Sequence, residues 1–208
     1  MRKLIKAIAF RIPGFRRWWL RVGPIVRHRL AGSPVPPHAE VKHYWLNYFR
    51  KANDIRVLIE TGTNLGSTVE AMLLKFDLIH TIELDEGLWR KASEKFASVP
   101  HVRVTLGDSG LILSTLFANI REQCLFWLDG HFCGPGTGGI DNGIPIVKEL
   151  HAISAHGRND HVILIDDARL FNGQNGYPAV YQIIDLCKKI NPDYTIKVID
   201  DMIQIFKK

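Results

Sequence analysis

The stretch Arg56-Val57-Leu58-Ile59-Glu60-Thr61-Gly62-Thr63-Asn64-Leu65-Gly66-Ser67-Thr68-Val69 decides how the rest of the chain is read. Val57, Leu58 and Ile59 form a short apolar run, the pattern of a strand buried on both faces. Gly62 and Gly66 bound a tight turn, and Ser67-Thr68-Val69 opens a helix. Glu60 stands at the carboxyl edge of the strand. In open α/β sheets ligands bind outside the carboxyl ends of the strands, at the first strand-to-helix turn. The expected ligand-binding residues of this stretch are therefore Glu60, Thr61, Gly62, Thr63, Asn64, Gly66, Ser67 and Thr68.

Downstream, strands and helices alternate. Strands are predicted near 55–60, 78–83, 102–106, 124–129 and 161–166, and helices near 67–76, 86–97, 109–119, 143–155 and 178–190. Such alternation implies a parallel sheet with helices on both faces. The end of the chain differs. In Tyr194 to Phe206 two apolar runs are separated only by Asp200-Asp201, a two-residue hairpin turn, so the last strand must run antiparallel to its neighbour. The predicted fold class is α/β: a Rossmann-like, mostly parallel, seven-stranded sheet closed by a final antiparallel hairpin strand.

Upstream lies a different kind of sequence. Residues 1–30 hold nine of the 27 Lys/Arg residues and none of the 21 Asp/Glu, so the remainder carries 18 basic against 21 acidic groups. Trp18, Trp19, Phe10 and Phe15 accompany those charges, and Pro13-Gly14 divides the segment into two expected helical pieces. Aromatic and basic residues together are the pattern of a helix lying at an anionic membrane surface. An arm that packs its aromatics on the domain and leaves its charges in water is an equal reading. The organisation expected is an arm and linker over 1–37 and one domain over 38–208. Within that domain a helix over 38–52 carries Val41, Tyr44, Trp45, Tyr48 and Phe49 on one stripe. No apolar run is long enough to cross a membrane. Cys124, Cys133 and Cys187 form neither a CxxC pair nor a zinc spacing, which points to reduced thiols and a cytoplasmic location. A net-acidic body argues against a nucleic-acid partner. Nothing in the sequence fixes an oligomeric state.

The Gly62 loop does not fit a dinucleotide. A pyrophosphate site wants three glycines as G-x-G-x-x-G, and here only Gly62 and Gly66 occur, with Glu60 beside the place of the anion. A carboxylate suits a cationic ligand, and S-adenosylmethionine carries an ammonium and a sulfonium. Glu83 closes the second predicted strand, where an acid accepts from two ribose hydroxyls. Asp108 and Ser109 close the third, where Asp108 could accept from an adenine amino group and Ser109 could cap the next helix. An ordinary helix cap at Asp108-Ser109 is the plain alternative.

Glu60-x-Gly62-x-x-x-Gly66, Ile82-Glu83, Gly107-Asp108-Ser109 and the closing hairpin together resemble the class I S-adenosylmethionine-dependent methyltransferases, from about Tyr48 to the C-terminus. The resemblance implies S-adenosylmethionine as cofactor and places the fourth and fifth strands side by side, facing the methyl group. Their ends carry Asp129, His131, Asp166 and Asp167. In one reading His131, with Asp129 and Asp167, draws the proton from an acceptor hydroxyl. In the other, Asp129, Asp166 and Asp167 hold a divalent cation such as Mg²⁺. Catechol-type relatives carry an Asp-Asn pair where this chain has Asp166-Asp167. The glycine-rich stretch 134–143 is expected to form a flap. The expected activity is O-methylation of a sugar, glycan or other small hydroxylated acceptor, with membrane contact through residues 1–30. An RNA methyltransferase and an NAD(P)-dependent oxidoreductase are the alternatives.

Overall fold

The computed structural model describes residues 15–118, 120–130 and 144–207. Two helices precede the sheet, α1 (Phe15–Leu30) and α2 (Ala39–Ala52). Then come β1 (Val57–Thr61), α3 (Ser67–Met72), β2 (Leu78–Glu83), α4 (Glu86–Phe96), β3 (Val102–Leu106), α5 (Ser109–Leu116) and β4 (Cys124–Leu128). The chain continues through α6 (Ile146–Ala155), β5 (Val162–Ile165), a 3₁₀ turn (Ala168–Leu170), α7 (Val180–Ile190), β6 (Thr195–Ile199) and β7 (Met202–Phe206). The strands form one seven-stranded sheet in the order β3-β2-β1-β4-β5-β7-β6. Strands β1 to β5 are parallel, and β7 runs antiparallel to both β5 and β6. This is the predicted architecture.

Burial on both faces follows from the residue alternation. On one face Val57, Ile59, Phe126, Leu128 and Ile163 pack with Leu113, Leu150, Ile153 and Ile183 of α5, α6 and α7. On the other, Leu58, Leu125, Trp127 and Leu164 pack with Leu46, Phe49, Val69, Met72 and Phe96 of α2, α3 and α4. Cys124 and Cys187 are buried core residues, and burial pushes each thiol up to about 12. Cys133 lies outside the described residues. At the hairpin, Asp200 and Asp201 take φ of 51° and 61°. Both central residues of a type I′ turn need positive φ, and Asp tolerates it.

The helices differ from expectation at their ends. The first after β1 stops at Met72 rather than 76, where Lys75 N–H already closes a turn onto the Met72 carbonyl (2.9 Å). The α2 stripe is shifted: Val41, Leu46 and Phe49 are buried, whereas Tyr48 is exposed. Of the two helical pieces expected at the N-terminus, the second is α1, and residues 1–14 lie outside the described set. α1 packs on α2. Two of its charges, both half exposed, are paired: Arg27 with Glu40 at 2.6 Å and Arg29 with Asp200 at 2.7 Å. Asp200, buried, also accepts from Trp45 Nε1 at 2.8 Å and lies 3.2 Å from His28 Nε2. The basic arm is thus tied at its C-terminal end to the hairpin turn. Among the described residues no helix is long and apolar enough to cross a membrane.

Candidate active site

Because β1 to β5 run the same way, their carboxyl ends gather at one edge. β1 is central, and Gly62 follows it directly with φ of 83°. Its N–H donates to the Ile82 carbonyl (2.9 Å). A Cβ here would lie 2.9 Å from the Asp129 carbonyl carbon and 3.1 Å from Gly130 Cα, so only glycine lets the β1 and β4 loops touch. Asn64 and Gly66 also have positive φ, 49° and 71°. A Cβ at Gly66 would meet the Phe96 ring at 2.7 Å, which seats the loop against α4.

Two acids organise this loop in different ways. Glu83, at the end of β2, accepts from the backbone N–H groups of Asn64 (2.7 Å) and Asp85 (3.0 Å), one on each oxygen. Its carboxylate therefore pins the β1 turn to β2. Glu60 faces Thr81 across the β1–β2 ladder and accepts from the Thr81 hydroxyl at 2.6 Å. Thr81 Oγ1 also lies 2.5 Å from Thr63 Oγ1, so the two hydroxyls are hydrogen-bonded beside Glu60. Burial pushes the Glu60 carboxyl up to about 8; the Thr81 and Thr68 hydroxyl bonds oppose the rise, and the Asp129 charge adds to it. Glu60 thus holds a proton near neutral pH far more readily than an exposed carboxyl.

Asp108 caps α5, accepting from Gly110 N–H at 2.8 Å. Ser109 does not cap. It is the first residue of α5, buried, and donates to Glu149 Oε1 at 2.5 Å. Asp108 takes the cap because its extended backbone aims the carboxylate at the helix amides. Glu149, on α6, is 1% exposed and was not singled out from sequence. It lies beneath Gly130, whose Cβ, if present, would stand 3.4 Å from Glu149 Oε1 and 3.2 Å from Thr61 Oγ1. An acid inside an otherwise apolar helical stripe (Ile146, Leu150, Ile153) was the available signal.

Asp129 and Asp166 extend the ladder past β4 and β5, their N–H groups donating to Thr61 O and Leu128 O, each at 3.1 Å. One carboxylate oxygen each of Asp129, Asp166 and Asp167 lie within 4.8 Å of one another. The expected convergence of these three acids is therefore present. His131 and the 134–143 stretch lie outside the described residues. Asp167 is left-handed, with φ of 53°, a conformation costly for a non-glycine residue and concentrated at functional sites.

Cations from elsewhere already reach this cluster. Lys42, on α2, donates to Asp166 Oδ2 and lies 3.8 Å from Asp167 Oδ1. Burial works against the Lys42 ammonium, but Asp166 first, then Asp129 and Asp167, hold its pKa above the ordinary lysine value. Burial raises the pKa of Asp166, and Lys42 opposes that rise. Asp166 sits among Leu128, Ile144, Ile165 and Phe171, and its Oδ1 is buried without a hydrogen-bond partner among the described residues. Arg169 pairs with Asp167 at 2.7 Å and also with Asp201. In donor type and spacing the three acids suit a divalent cation. Two of the three are already engaged by side-chain cations.

No protein-family profile matches the sequence, and no curated protein matches it significantly. Solved structures do match the fold. A candidate O-methyltransferase from Klebsiella pneumoniae aligns over 100% of this chain and 96% of its own, with 18% identity and a TM-score of 0.57. The Streptomyces achromogenes O-methyltransferase TomG, solved with S-adenosylmethionine, aligns over 87% and 86% (16% identity, TM-score 0.54). A Bacillus cereus O-methyltransferase in complex with S-adenosylhomocysteine aligns over 90% of each chain (14% identity, TM-score 0.54). This is the class I methyltransferase fold. At such identities the likeness extends to the architecture alone, and a function for this chain must come from its own residues.

Proposed function

We propose that the chain is an S-adenosylmethionine-dependent O-methyltransferase acting on a small hydroxylated acceptor. The observation that carries this reading is the row of acids at one sheet edge. Glu60 and Glu83 flank the glycine turn of β1, and Asp129, Asp166 and Asp167 stand beside it on β4 and β5. Solved structures of the same fold hold S-adenosylmethionine or S-adenosylhomocysteine. The sheet order also speaks against the oxidoreductase alternative, because the dinucleotide fold has strand order 3-2-1-4-5-6 with no inserted antiparallel strand.

When bound, the cofactor supplies a methyl group on a positively charged sulfur. The chain's part is alignment and removal of a proton. Thr61, Gly62, Thr63, Asn64, Gly66, Ser67 and Thr68 would surround the methionine end, with Glu60 beneath it. A cationic ligand favours the ionised form of Glu60, so binding near neutral pH would release a proton. Glu83 keeps lone pairs free for ribose hydroxyls while its amide bonds fix its aim. Asp108, backed by the buried Ser109–Glu149 pair, would meet the adenine. Asp129, Asp166 and Asp167 would hold the acceptor, with His131 as its general base. A sugar or glycan acceptor at a cytoplasmic membrane face is the finer reading, supported by the basic aromatic arm, whose residues before Arg27 would make the contact.

Titration calorimetry tests the cofactor. S-adenosylhomocysteine should bind in the micromolar range and NAD should not. Glu83→Ala should weaken binding by about tenfold or more, the loss of a charged hydrogen-bond partner. Absence of binding to the unaltered protein would sink the proposal.

A further inference from the structure

We infer that Lys42 is the resident cation of the Asp129–Asp166–Asp167 cluster. It stands where a divalent metal would otherwise sit and positions Asp166 to receive the acceptor hydroxyl. The inference rests on the methyltransferase reading for the word acceptor, but not for the charge argument.

The geometry argues for a filled cation position. Three carboxylates with oxygens within 4.8 Å, one buried and two partly buried, cannot all stay ionised without compensation. Lys42 supplies it from a helix 124 residues away in sequence. Its ammonium bonds Asp166 Oδ2 and lies 3.8 Å from Asp167 Oδ1, on which Arg169 also converges. A divalent ion bridging the same oxygens would have to displace or neighbour two fixed positive groups. At such separations the repulsion between unscreened charges is large. The chain thus offers the ligands of a metal site with its charge already balanced from within.

Among the described residues the arrangement also leaves one oxygen of Asp166 unmatched. Asp166 is 1% exposed, its Oδ2 is held by Lys42, and its Oδ1 has no hydrogen-bond partner among the described residues. A buried carboxylate oxygen left unpaired is costly. An acceptor O–H donating to Oδ1 would remove that cost, and Lys42 would fix the carboxylate plane so that Oδ1 faces it. Lys42 acts through Asp166 and is a positioning residue. A lysine could instead serve only to tie α2 to β5. That bland role predicts loss of stability on substitution and no change in metal affinity.

The experiment is a titration of the full-length protein with Mn²⁺, followed by calorimetry and by the electron paramagnetic resonance of free Mn²⁺. The unaltered protein should show no saturable binding up to about 1 mM, the weak end of oxygen-ligand sites. Lys42→Met should bind Mn²⁺ about a hundredfold more tightly than that limit, as expected for removal of a close like charge. Lys42→Arg should remain non-binding, and adding Asp166→Asn to Lys42→Met should abolish the new site. Lys42 is partly exposed, so the neutral but polar Lys42→Gln is the second variant should Lys42→Met misfold. Saturable Mn²⁺ binding by the unaltered protein that Asp166→Asn removes would overturn the inference. So would neutral variants that fold and gain no affinity. S-adenosylhomocysteine binding is measured alongside. Its absence in the unaltered protein would count against the methyltransferase reading and leave the Mn²⁺ result standing.

Discussion

The two ends of the site are built by opposite means. Around β1 and β2 the acids are held by neutral donors: Glu83 by the amides of Asn64 and Asp85, and Glu60 by the hydroxyls of Thr81 and Thr68. Around β4 and β5 the acids are held by cationic side chains, Asp166 by Lys42 from 124 residues away and Asp167 by Arg169 two residues on, which also reaches Asp201 of the hairpin. The β1–β2 end buries a carboxyl, Glu60, whose pKa burial raises. The β4–β5 end sets its acids against cations. Glu60 is the test of the first statement and should show the largest effect. Its pKa is raised from 4.5 to about 8 in the fold, so the folded state binds the proton more tightly than the unfolded chain. Its stabilising contribution is complete below about pH 4.5 and is lost as pH rises towards 8. A shift of that size corresponds to a few kcal/mol. Glu60→Gln should therefore flatten the fall in stability between pH 5 and 8 in urea titrations. An unchanged slope would mean that Glu60 stays ionised in the unliganded protein.

Gly62 joins the two ends, and its replacement should rank second. Gly62→Ala places a methyl group against the Asp129 carbonyl and forces a left-handed alanine. Strain and overpacking together should cost about 3 kcal/mol. The same change should also push Asp129 away from the Asp166–Lys42 pair. Chemical denaturation gives the first quantity, and loss of S-adenosylhomocysteine binding at temperatures where the variant is folded would show the second. A variant that is destabilised but binds normally would separate the β1 loop from the β4 loop and break the idea of one continuous site.

What could be read from sequence follows the same division. The β1 turn was legible because its determinants are consecutive: an apolar run, Glu60, Gly62 and Gly66. The hairpin was legible because Asp200-Asp201 is a two-residue break between alternating segments. The meeting of Asp129 with Asp166 and Asp167 followed once the strand order was implied. Lys42 was not legible. It follows Val41 on an amphipathic helix, where a lysine ordinarily runs its stem along apolar surface and its head into water. Only the seating of α2 against the β5 end turns that head inward. Glu149 escaped notice because its partner, Ser109, lies 40 residues earlier on another helix. The raised pKa of Glu60 was not legible because burial sets it, which local sequence does not display.

Asp200 carries the comparison beyond the site and should give the smallest of the three effects. It takes Arg29, His28 and Trp45 Nε1 onto one buried carboxylate, so α1, α2 and the β6–β7 turn meet there. Asp200→Asn keeps the shape and tolerates the left-handed backbone. It removes the charge that faces Arg29. Arg29 is half exposed, and solvent screening limits that pair to the range of surface bridges. The bond to Trp45 can persist through the amide oxygen. A cost of about 1 kcal/mol is therefore expected. Its distribution matters more than its size. The sheet is closed by ladders that do not involve Asp200, so hydrogen exchange should rise in α1 while β1, β4 and β5 stay protected. That result would mark α1 as a separable unit, able to leave the domain for another surface. A uniform rise across the sheet would instead make α1 part of the same cooperative structure, and the membrane contact proposed for the arm would then fall to residues before it.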